Sequence, residues 1–107
     1  MIKKYLDIKG DNSKKIEVTT SYSKGGMSLF SYQEIKRGYY VHVQPVKFEN
    51  IAGCNMVSVC PTEGRKMLLK EVSRASKKAE AEADCMAEEA AKPIIERVCM
   101  EQGIELA

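Results

Sequence analysis

The sequence has no tryptophan, one histidine and three prolines. Each scarcity removes something. A lone histidine and the absence of any C-x-x-C pair leave no zinc-binding spacing. No Ser or Cys has a motif-level link to His42, so no nucleophile–base pair can be written. "MIKK" is followed by no apolar run of seven or more, so no secretory leader is expected. No stretch approaches the roughly 18 apolar residues of a membrane span. There is no linker, repeat or low-complexity segment, and 107 residues suit one domain. The expectation is a cytoplasmic protein without membrane contact, catalytic residues, metal or cofactor, and with no small-molecule substrate.

The four cysteines, Cys54, Cys60, Cys85 and Cys99, fit a reducing compartment. Cys54 and Cys60 lie roughly 20 Å apart along a regular strand. Cys85 and Cys99 lie roughly 21 Å apart along a continuous helix. Neither pair can bridge, so buried or half-buried free thiols are expected.

What is present is blocked charge. The total is only +2, but residues 1–48 carry +5, residues 65–78 carry +5, and residues 79–91 carry −5. The blocks matter more than the sum.

The first half reads as strands. "KKIEVTTSY" alternates, with Ile16, Val18, Thr20 and Tyr22 on one face and Lys15, Glu17, Thr19 and Ser21 on the other. "SKGG" and "IKRG" are turns flanking the β-rich "MSLFSYQE". In "YYVHVQPVKFE", Tyr39, Val41 and Val43 oppose Tyr40, His42 and Gln44. Beyond Pro45 the apolar Val46 and Phe48 change parity, and a bulge near Gln44-Pro45 would restore them to the Val41/Val43 face. "GCNMVSVC" is a further strand, and "MIKKYLDIK" is one more candidate.

The second half reads as helix from Arg65 to residue 102. Leu68, Val72, Ala75, Ala79, Ala83, Met86 and Ala90 recur at helical spacing, an alanine-rich face suited to close packing. Pro93 kinks this helix or starts a second, and Gly103-Ile104 is a C-terminal cap. The expected fold is α+β: an antiparallel sheet of four or five strands (1–60), then a long C-terminal helix (65–102), kinked or broken near Pro93, packed on one face.

Two features suggest function. All seven aromatics lie in the first 48 residues. One helix covers one face of a sheet, so Tyr40 and His42, joined by Phe30 or Tyr32, would face solvent beside Lys24, Lys36 and Arg37. Such a face is a generic platform for single-stranded nucleic acid, where rings stack bases and cations hold phosphates. The alternative is that these rings fill the core. The second feature is the basic run Lys66, Lys70, Arg74, Lys77 and Lys78, opposite the alanine face of the expected helix. Like charges at i, i+4, and basic residues leading acidic ones, both run against helix preference. A polyanion, or an antiparallel copy of the helix in a homodimer, would relieve both. "TEGRK" and "KGGM" are ordinary turns.

In element order alone, strands followed by one long helix, the chain resembles the small single-strand-binding coactivators. That resemblance implies dimerisation and nucleic-acid contact through sheet surfaces. The leading expectation is a non-enzymatic module binding single-stranded nucleic acid, as a homodimer. The competing expectation is a protein–protein or homo-oligomeric assembly module that uses the helix.

Overall fold

The computed structural model describes residues 1–27, 34–51, 54–59 and 65–107. Its elements are β1 (Lys3–Ile8), β2 (Asp11–Ser23), β3 (Gly26–Met27), β4 (Glu34–Ile35), β5 (Gly38–Ile51), β6 (Cys54–Val59), β7 (Arg65–Glu71) and α1 (Lys77–Gln102). The fold is α+β, an antiparallel sheet with one long C-terminal helix across one face.

The 14-residue β5 is the spine of the sheet. Along one edge it pairs with β2 in unbroken register, from Ser23↔Gly38 to Lys14↔Lys47. β1 then pairs with the far side of β2. The other edge of β5 is shared. β7 takes Gly38 to Val43, and β6 takes Val46 to Ile51. The two partners run in the same direction and part at Gln44-Pro45. Proline lacks the amide donor that a continuous ladder would use there. The expected bulge does not occur against β2. Val46 and Phe48 therefore stay on the face opposite Val41 and Val43, where Val46 is fully buried. The shift instead falls between β5 and β7 at Tyr39/Tyr40, and Leu69 at that irregularity turns into the core.

The helix begins at Lys77, twelve residues after the expected start. "RKMLLKE" is strand β7. Its apolar residues satisfy helical spacing as a coincidence of short range, and the open edge of β5 decides the outcome, because an unpaired ladder beside the core leaves backbone groups unbonded. Ser76 marks the true start. Its Oγ accepts the Ala79 amide at 3.1 Å as the N-cap of the helix. The buried Tyr39 hydroxyl donates to the Ser76 carbonyl and accepts its amide, tying the helix start to β5.

The helix buries Ala79, Ala83, Ala87, Ala91 and Val98. The stripe runs in steps of four, so Met86, expected inside, is exposed and Ala90 is only half-buried. Alanines let the helix sit low over Ile16, Val18, Tyr39, Val41 and Val43. Pro93 lies inside the continuous helix and neither ends it nor starts another. At its end Gly103 takes a left-handed conformation, φ 64°. The Ile104 amide reaches the Cys99 carbonyl at 2.8 Å, as the cap signal predicts. Beyond it, Leu106 bridges to Ile8, and Lys9 donates to Glu105 at 2.8 Å.

Of the cysteines, Cys85 is exposed, against expectation, and Cys99 is half-buried; both are free. Burial pushes the Cys99 thiol up from its ordinary value. Cys60 and the Cys54 side chain lie outside the described residues. No helix among the described residues is long and apolar enough to cross a membrane.

Two substitutions test this packing. Gly38 approaches β7 so closely that a Cβ would meet the Lys70 carbonyl oxygen at 2.2 Å. Gly38→Ala should cost about 2 kcal/mol or more in denaturant unfolding, because only backbone can yield there. Ala87→Leu should cost about 1–3 kcal/mol by overfilling the helix–sheet contact. Ala81→Leu, on the exposed helix surface, should stay within about 0.5 kcal/mol of the parent.

Candidate functional site

Alternation places Tyr40, His42, Gln44 and Phe48 of β5 on the sheet face away from the helix. They share it with Lys3 and Tyr5 of β1, Glu17 and Thr19 of β2, and Lys66 of β7. This face has two zones. At one end Val46 is buried, and the Phe48 ring meets Tyr5 edge-on, with centroids 5.4 Å apart. Next to it Gln44 Nε2 donates to Glu17 Oε1 at 3.0 Å, and both side chains are buried. Gln44 Oε1 is a buried acceptor with no partner among the described residues.

At the other end Tyr40 and His42 are half-buried. The Tyr40 hydroxyl donates to the Lys36 carbonyl at 2.7 Å, which fixes the ring. The Lys66 ammonium stands 4.8 Å from the centre of that ring. His42 sits directly across from Lys66 on β7 and from Thr19 on β2. A second lysine–tyrosine couple lies on the same face, with Lys3 Nζ 5.9 Å from the Tyr5 ring centre. Tyr5 is 38% exposed. The two couples are roughly 16 Å apart by strand spacing and rise. Cation–ring contacts of this kind are worth about 0.5–1 kcal/mol at exposed sites.

Sequence reading placed Tyr40 and His42 on this face and Lys66 on a helix stripe; the structure puts Lys66 on β7 and brings the three together. It did not anticipate Lys3 and Tyr5. Their signal is the alternation in "KKYLDI", which gains meaning only once β1 is paired with β2. Phe30 and Tyr32 lie outside the described residues.

The other expected phosphate-binding residues disperse. Lys24, Lys36 and Arg37 lie at the root of the β3–β4 arm, around an open cleft of about 910 Å³. Arg37 is a brace there: its Nε donates to the Lys24 carbonyl at 3.0 Å and its Nη1 to the Ser73 carbonyl at 2.8 Å. Lys36 approaches Glu71 at 3.9 Å.

The basic helix stripe does not exist. Lys66 and Lys70 are on β7, Arg74 is in the turn after it, and only Lys77 and Lys78 open the helix. Lys70 is ion-paired with Glu82 across the helix–sheet junction, and Arg65 with Glu101 at 2.7 Å. Lys4 pairs with Glu88 on the opposite flank. The acidic half of the helix thus meets cations of its own sheet. The charge penalty that called for a polyanion or an antiparallel copy loses its premise. Among the described residues no group of three or more His, Cys, Asp or Glu side chains could hold a metal ion.

Burial pushes the His42 imidazole below its ordinary value, the Lys66 ammonium adds to this, and Glu17 opposes both. His42 therefore stays neutral in the fold at pH values where the unfolded chain begins to take up a proton. Its contribution to stability is present above the ordinary value of about 6.5 and is lost as pH falls through the folded one. A ring-proton NMR titration is unambiguous with one histidine. Lys66→Ala should move the midpoint upward; an unchanged or lower midpoint would deny Lys66 its place beside the ring.

No protein-family model, no curated protein and no solved structure matches this chain.

Proposed function

We propose that the chain is a non-enzymatic binding module whose sheet face away from the helix holds single-stranded nucleic acid. One observation carries this reading. Two lysine–tyrosine couples, Lys66–Tyr40 and Lys3–Tyr5, share the face that the helix leaves uncovered. Each couple sets a ring that can stack a base beside an ammonium that can meet a phosphate. His42 adds a planar group next to the first couple. A duplex hides its base faces, so the stacking rings favour a single strand. The face has few cations and carries the buried Glu17, so modest affinity with a strong salt dependence is expected.

The test is anisotropy of labelled single- and double-stranded oligonucleotides across a salt series. Single strands should bind at low salt and be released as salt rises. Tyr40→Ala should cost about 1–3 kcal/mol of binding. Lys66→Ala should flatten the logarithmic salt slope by roughly 0.7. Absence of binding at low salt, or equal binding of duplex with Tyr40→Ala unaffected, would end this reading.

A further inference from the structure

A second surface lies at the edge of the sheet, apart from the face just described. Strand β7 pairs with β5 on one side only, and no described strand pairs with its other side. Beside that open edge runs a groove of about 420 Å³ between β7 and the helix. Met67, Pro93 and Ile94 form its apolar lining, and Arg65, Lys66 and Arg97 border it. Met67 is 40% exposed, a large apolar side chain beside unpaired strand backbone. Arg65 is held by Glu101, whereas Arg97 is exposed and has no partner among the described residues.

The opposite edge of the sheet shows the contrast. There the groove between β1 and the helix is smaller, about 260 Å³, and its lysines Lys4 and Lys92 are paired with Glu88 and Glu89. The end of β1 is also covered by the bridge from Ile8 to Leu106. Of these two edges, the β7 edge combines backbone that no described strand pairs, an apolar trough and a cation without a partner among the described residues.

We infer that the β7 edge and its groove bind an extended acidic peptide by strand addition. The peptide's backbone continues the sheet beside β7. Its alternate side chains enter the Met67–Pro93–Ile94 trough or reach Arg97. Main-chain bonds supply affinity and the alternate pockets supply selectivity. Charge selects the partner. A second copy of this chain, pairing β7 to β7, would bring a second Lys66 and a second Arg97, cations without carboxylate partners among the described residues, to the same edge, and like charges close together there destabilise the pairing. An acidic partner meets no such penalty.

The probe is a short fluorescein-labelled peptide alternating glutamate and valine, compared with its lysine–valine counterpart. Saturable binding of the glutamate peptide is expected, with amide NMR shifts concentrated in Arg65–Glu71. Arg97→Glu, at an exposed position, should weaken it about tenfold. Methylating alternate peptide amides that face β7 should abolish binding. Tyr40→Ala should leave it unchanged, which separates this surface from the nucleic-acid face. Equal binding of the lysine peptide, shifts outside β7, or indifference to Arg97→Glu would overturn the inference. So would displacement of the peptide by a single-stranded oligonucleotide, or self-association of the chain through β7 in sedimentation.

Discussion

The low seat of α1 on β5 governs the rest of the molecule. Ala79, Ala83, Ala87 and Ala91 present almost no side chain, so the helix axis approaches the sheet over Val41 and Val43. That contact decides which face of every strand is inside. It also brings the acidic flanks of the helix within reach of Lys4, Lys70 and Arg65. Each of these exposed pairs contributes little by itself, about 0–1 kcal/mol. Together they orient a helix whose alanine face has few bulky features to set its rotation.

The uncovered face follows from the same contact. With Val41 and Val43 under the helix, Tyr40 and His42 must point the other way. Pro45 then divides that face. It interrupts the second edge of β5, so β6 and β7 meet different halves of one strand. One half carries the buried Val46 and the half-buried Phe48, and the other carries Tyr40 and His42 with Lys66 beside them. The same break leaves β7 as a short strand whose outer side no described strand pairs, next to the groove that reaches Arg97.

Charge in this chain is arranged for internal pairing more than for display. The acidic block 79–91 looks unbalanced in a linear reading because its partners are distant in sequence. Lys4 meets Glu88 across 84 residues. The cations left without carboxylate partners are then the informative ones, and among the described residues they include Lys66 over Tyr40 and Arg97 beside the groove.

Period-two alternation alone determined much of the sheet. It assigned the two faces of β2 and β5 up to Val43, and so the orientation of Tyr40 and His42. The glycine cap at Gly103 was equally local. What only the tertiary structure decided was the fate of residues 65–71. "RKMLLKE" fits a helix by spacing and a strand by partnership, and the open edge of β5 chose the strand. With that choice the apparent basic stripe dissolved, and Lys66 moved next to Tyr40. Parity beyond Pro45 and the Lys3–Tyr5 couple were settled in the same way. Local propensity ranks the conformations of a short segment, but unpaired backbone beside a core costs more than the difference between them.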